Sequence, residues 1–317
     1  MLSHAIACIE CGDAPVDHRL AAATSAMAAA YAESDPDTAL KVAVAAAGIE
    51  PRTDADRLHV LRTRLIYEYE FGDVSRAVEI GDKYLELFRR ANNGRLSQAL
   101  RVSSFPHRIA GNFGIVRDRL EEALRTAERE AHRQDQARAL EYLSHLSADE
   151  ADYPEAAKNL DRLLGILERC PPAVDVPMRV SIASIALMLG RSALAASQLA
   201  YADTTLLPLH GRCEVLATRV LAAAMQGTRC DDHDLSDLFR LNEQLRSRPG
   251  QESAVLGIAA ALNQRSRTIE AVAVVTRYAN EYRREPWPSR HPIIRSFIDG
   301  RPHVAAIPVS TPPACPE

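Results

Sequence analysis

Aromatic residues are scarce in this sequence, 5% of the chain with a single tryptophan, while alanine and leucine carry the apolar load. That bias argues against a β-sandwich and suits closely packed helices. Long hydrophobic runs are missing too. The longest clean stretch, Ala254 to Leu262, falls well short of the ~20 residues a spanning helix needs, so no membrane role is expected. There is no basic excess. A net charge of -4 gives little drive toward a phosphate backbone, and direct nucleic-acid binding is not expected. Six cysteines in 317 residues make no dense disulfide framework, which points to a reducing cytosol. The start of the chain has no Lys/Arg region before Glu10 and Asp13, so it does not read as a secretory signal, and a cytoplasmic setting is expected.

Catalytic signatures are equally thin. The sequence holds no Gly-x-x-x-x-Gly-Lys-Ser/Thr, no Gly-x-Ser-x-Gly and no His-Glu-x-x-His. Asp149-Glu150-Ala151-Asp152 spells a helicase string, but that chemistry needs a phosphate-cradling loop that is not there. Cys8 and Cys11, three apart, share a face if helical and have His4 and His18 nearby, yet no second cysteine pair completes a zinc set. Small buried hydrophobes on an N-terminal helix are the plainer reading. The run Cys230-Asp231-Asp232-His233-Asp234 gathers metal-friendly groups, but an acidic first helical turn accounts for it. The expectation is a chain that is not an enzyme, with no catalytic residue, no metal and no cofactor.

What is present is a rhythm. Helical patterns break at Ser34–Ala39, Gly72–Ala77, Gly111–Val116, Ala151–Ala156, Gly190–Ala195, Gly227–Asp232 and Ser266–Ala271. Counted from the last residue of each, the intervals are 38, 39, 40, 39, 37 and 39. Glycine supplies the left-handed backbone that ends a helix, and Asp or Ser caps the next. Pro36 and Pro154 fall where a first helical turn tolerates a missing N–H. Twelve residues before the break-closing position stand Ser104, Ser144, Ala183 and Ala259. Small residues at a fixed offset on two helices are what an antiparallel pair needs at its closest approach.

The spacing, with the Gly-Asp-x-x-x-Ala and Asp-Tyr-x-x-Ala cores and the helix-closing Ile49-Glu50-Pro51, resembles tetratricopeptide repeats over roughly residues 17–284. The usual repeat is about 34 residues, so these are of a longer variety, similar to those in bacterial regulators such as sensor regions of transcription activators and peptide-responsive signalling proteins. The resemblance implies an all-α, right-handed solenoid of about seven antiparallel helix pairs. Residues 1–16 are expected to form an N-terminal capping helix and 17–284 the repeats. Residues 285–307 are expected to form a short C-terminal cap, within which 291–298 suits one helix, and Pro-rich 308–317 a disordered tail.

In the resembling family the first helix of each pair lines the concave face. Pro106 falls inside one such helix, where a missing N–H and a steric clash predict a kink that turns Arg101, His107 and Arg108 into the groove. Neighbouring first helices add Arg62 and Tyr69 from one side, and Tyr142 and His145 from the other. Together they predict a basic and aromatic strip suited to an acidic peptide or a C-terminal carboxylate. The leading expectation is a protein- or peptide-binding scaffold, the regulatory or sensor part of a bacterial signalling system. No output domain is visible, so its action passes through another chain or through an effector half that has been lost. The alternatives are a structural assembly protein that pairs with its own copies, or a metal-dependent enzyme on a helical scaffold.

Overall fold

The computed structural model describes residues 2–91, 94–169, 176–200, 202, 207–281 and 296–297. It forms these into fifteen helices, with no strand among the described residues. A lone α1 (Leu2–Glu10) precedes seven pairs. They are α2 and α3 (Val16–Ala32, Pro36–Ala47), α4 and α5 (Asp54–Glu70, Val74–Ala91), and α6 and α7 (Leu96–Ile109, Phe113–Arg129). Next come α8 and α9 (Arg133–Asp149, Tyr153–Arg169), and α10 and α11 (Val176–Met188, Ser192–Leu199). The last are α12 and α13 (Leu209–Met225, Asp232–Gln244), and α14 and α15 (Arg248–Gln264, Thr268–Glu281). Most of the expected cap and all of the tail lie outside the described residues. Ser296 and Phe297 are helical, and Phe297 is buried in the core beside α15.

Five of the breaks share one hydrogen-bonded design. A left-handed residue follows the first helix: Ser34, Gly111, Ala151, Gly190 or Ser266, with φ between 54° and 76°. The next amide then donates back five residues, as Asp35 N to Ala30 O and Asp152 N to Ser147 O do, both at 2.8 Å. Its carbonyl in turn accepts from the fourth residue of the following helix, as in Ala39 N to Asp35 O and Ala156 N to Asp152 O, both at 3.0 Å. This is the Schellman arrangement, and it satisfies carbonyls that the helix end would otherwise strand. Gly72 serves a different need. A Cβ there would sit 2.2 Å from a Glu68 carboxylate oxygen, and that carboxylate accepts from Asp73 N at 2.8 Å.

The fourth residue of each second helix is the one that packs inward. Ala39, Ala77, Ala156, Ala195 and Ala271 are fully buried, as are Val116 and Leu235 to within a few per cent. The sixth register residue is therefore Leu235, three positions beyond the Asp232 that even spacing suggests. Asp232 is instead the exposed first residue of α13, where it pairs with Arg265 at 2.6 Å and Arg229 at 2.9 Å. A carboxylate in the first turn of a helix is stabilised where it stands, so Asp232 stays in that turn and the inward position falls to leucine. One of the small residues twelve positions earlier meets its partner directly: Ser144 Oγ donates to Ala156 O at 3.2 Å.

Side-chain bonds between neighbouring pairs repeat this geometry. Arg89–Glu122, Arg117–Glu150, Arg162–Glu128, His145–Ser181 and Ser97–Asp135 join residues 33 to 38 apart. A stack in which each unit touches only its neighbours should show no bond that skips a pair. Three bonds break that rule. Tyr31 Oη lies 2.8 Å from His210 Nε2, and Ser34 Oγ accepts from Arg246 N at 2.7 Å and from Ser247 N at 2.9 Å. These span 179, 212 and 213 residues. The superhelix has come round far enough for its first pair to meet its sixth and seventh, and the concave face closes on itself.

Candidate functional site

First helices from all seven pairs converge on one cavity of about 700 Å³. Its wall includes Tyr31 from α2, Arg62, Tyr69 and Glu70 from α4, and Arg101, Phe105 and Arg108 from α6. Arg138, Glu141, Tyr142, His145 and Asp149 come from α8, His210 and Glu214 from α12, and Glu252 from α14. The volume is that of a pocket for a small ligand or short peptide, within the ~300–1,000 Å³ usual for such sites.

Six of the seven residues expected to form a strip line this cavity: Arg62, Tyr69, Arg101, Arg108, Tyr142 and His145. His107 does not. α6 runs from Leu96 to Ile109 as one helix through Pro106, and the step from Arg108 to His107 turns about 100° around its axis. His107 is therefore buried on another face, with Nε2 2.9 Å from Asp82 Oδ1 of α5 and Nδ1 3.2 Å from Asn112. Arg119 of α7 bonds the same Asp82 oxygen and donates to Ser103 O at 2.8 Å. His107 ties three helices together behind the wall. Burial would raise the Asp82 carboxyl, but hydrogen bonds from Arg119 and His107 outweigh it and hold it below the ordinary range.

The wall also departs from the expected basic strip, because its charges are mixed. Arg108 pairs with Asp149 at 2.6 Å, Arg138 with Glu141 at 2.9 Å and His210 with Glu214 at 3.3 Å. Burial works against the Arg108 guanidinium, yet Asp149 and Glu252 outweigh it and carry its pKa upward, so it is permanently charged. Burial pushes the Glu141 carboxyl above its ordinary range against the pull of Arg138 and the Ser181 hydroxyl. Burial likewise raises the phenols of Tyr31, Tyr69 and Tyr142, which stay neutral hydrogen-bonding groups. An aromatic ladder crosses three helices. Tyr69 and Phe105 have ring centroids 5.9 Å apart, Phe105 and Tyr142 4.8 Å, and Arg101 lies 5.8 and 5.5 Å from the last two. These are distances for tilted ring pairs and for a cation over a ring face.

Some of the wall was open to inference from register. Tyr31, Tyr69 and Arg108 each stand eight residues before the inward residue of their pair, so the position of Tyr31 follows from that of Tyr69. Nothing local announces His210, Glu214 or Glu252, which closure brings in from the far end. The cysteine strings settle elsewhere. Cys8 lies on α1, but Cys11 is one residue past its end and exposed, so the two do not share a helical face. Cys230 is buried and accepts from Arg265, and Asp231 caps α13 by accepting from His233 N at 2.8 Å. Asp149 and Ala151 of the helicase string close α8 and turn left-handed after it. No helix among the described residues is long and apolar enough to cross a membrane.

No protein-family model matches the chain, and no curated protein matches it at a significant level. Among solved structures, the chain is similar to aspartyl phosphate phosphatase F from Bacillus subtilis, with a TM-score of 0.56 and 13% identity. The match covers 92% of this chain and 75% of that one. At that identity the likeness carries the architecture alone, and with the hydrogen-bonded repeat described above it places the chain among all-helical, tetratricopeptide-like solenoids.

Proposed function

We propose that this chain is a regulatory binding protein of bacterial signalling, which takes a short peptide into its closed concave cavity and passes the binding event to a partner protein. The observation that carries this reading is the convergence of first helices from every pair on one small, chemically varied cavity. A wall already fixed by neighbouring helices limits the ordering cost of binding. Charges of both signs beside aromatic faces suit a ligand that carries both a terminal carboxylate and an amine. The similar structure is titled a phosphatase. We read the present chain as non-catalytic in a cytoplasmic phosphoryl-signalling setting, because Asp149 and Glu141 are committed to Arg108 and Arg138 as braces between and along helices.

Ser184 lines the cavity from α10, and Ser184→Trp sets an indole across part of it. Native mass spectrometry of the full chain with a library of pentapeptides free at both termini should show bound peptide for the wild type and none for the folded Ser184→Trp variant. Binding that survives the tryptophan would place the ligand elsewhere. In parallel, acetyl phosphate should be hydrolysed no faster with the protein than in buffer, and measurable turnover would replace the non-catalytic reading with an enzymatic one.

A further inference from the structure

Two arginines in the cavity wall differ from the rest. Arg62 on α4 and Arg101 on α6 each stand fifteen residues before the inward residue of their pair, Ala77 and Val116, and so occupy one register position in adjacent layers. Neighbouring helices pack about 8–10 Å apart, which lets two long side chains at equivalent positions reach a single group. The same position in the next layer is Glu141. Its carboxylate feels the charge of Arg101, but its hydrogen bonds go to Arg138 and Ser181.

Arg108 and Arg138 are neutralised by carboxylates, whereas Arg62 and Arg101 have neither an ion pair nor a hydrogen bond among the described residues. Arg62 Nε is fully buried without an acceptor. Arg101 lies over the rings of Phe105 and Tyr142, contacts that use none of its five N–H donors in a hydrogen bond to an acceptor. Both charges pull on the same phenol, that of Tyr84, so they belong to one electrostatic neighbourhood. A buried N–H without an acceptor, such as Arg62 Nε, is costly, and the group that satisfies two neighbouring guanidinium forks in planar, bidentate fashion is an oxyanion.

We infer that Arg62 and Arg101 form the seat for an oxyanion, a carboxylate or phosphoryl group, with Phe105 and Tyr142 fixing the plane of Arg101. The seat rests on reading the cavity as the ligand site, and it names the end of the ligand that anchors there. Arg108 and Arg138, already paired, are braces and not anchors.

The test uses the full chain labelled with ¹⁵N-arginine, its Nε–Hε signals assigned through Arg62→Gln and Arg101→Gln. It is titrated with inorganic phosphate, acetate, and N-acetylated penta-alanine as the free acid and as the amide. Phosphate or the free acid should shift both assigned signals, and the amide should not. Either substitution should weaken the effective anion about tenfold, while Arg64→Gln on the exposed side of α4 leaves affinity unchanged. Thermal melts of each variant check folding, and Arg101→Lys, which keeps charge but loses the planar fork, should retain part of the affinity. A response to phosphate alone assigns a phosphoryl source, and one to the free acid alone a carboxylate terminus. If no anion moves the two signals, the seat is wrong. If free acid and amide bind equally but Ser184→Trp blocks both, the seat falls and the cavity reading stands. Binding that Ser184→Trp leaves intact overturns the cavity reading itself.

Discussion

Ala151 holds φ at 61°, a conformation that costs an L-residue ~1–2 kcal/mol, and its side chain is exposed and contributes no packing. Ala151→Gly should therefore raise stability by about 1 kcal/mol, read as an upward shift in melting temperature. Gly257 predicts the opposite sign. A Cβ there would meet Ala217 O at 2.8 Å and Ala217 Cα at 3.0 Å, where α14 crosses α12. Neither contact is a flexible tip, so Gly257→Ala should cost ~1–3 kcal/mol and lower the melting temperature, whereas a loss-free result would mean the two helices separate easily. At this scale the sequence was readable wherever one residue's own chemistry decides. Glycine and proline marked the turns, and Tyr69, Arg101 and Tyr142 were found by their register. It was unreadable where a partner decides. That Arg108 is quenched by Asp149, 41 residues on, and that His107 turns to Asp82 depend on which faces neighbouring helices present.

The helices themselves were legible because each break carries its own hydrogen-bonded punctuation, and the one misjudged register, Asp232 for Leu235, came from counting intervals without asking which residue can be buried. The joint between α2 and the α12–α14 segment had no such signal. Ser34 Oγ there accepts from two amides, and both Ser34 and Ser247 are buried. Ser34→Ala should leave those donors unsatisfied, cost about 2 kcal/mol, and increase the radius of gyration seen by solution X-ray scattering. The joint also responds to pH. His210 is flanked by Tyr31, Glu70, Glu214 and Ser247. Burial acts to lower its pKa, but Glu214, by charge and hydrogen bond, and Glu70 outweigh that and raise it. A raised histidine pKa contributes stability that is full below the unfolded value of about 6.5 and is lost as pH climbs through the folded value. Scattering should therefore show the most compact molecule in mild acid and loosening on the alkaline side, with the dependence flattened in His210→Gln. A pH-independent radius in the wild type would remove His210 from this role.

For the molecule as a whole, the architecture was predictable and its closure was not. Each pair adds a small rotation that no residue encodes alone, and only the sum over several layers decides whether the ends meet. The meeting has a consequence for how the chain is made. Residues 31 and 34 leave the ribosome early, yet their partners at 210, 246 and 247 emerge more than 170 residues later. Contacts of such separation form slowly, and domains generally organise from the N-terminal side during synthesis. The first pair synthesised is thus among the last to be secured. Until then Tyr31 and the left-handed turn at Ser34 stand open to water, to chaperones and to another copy's α12–α14 edge.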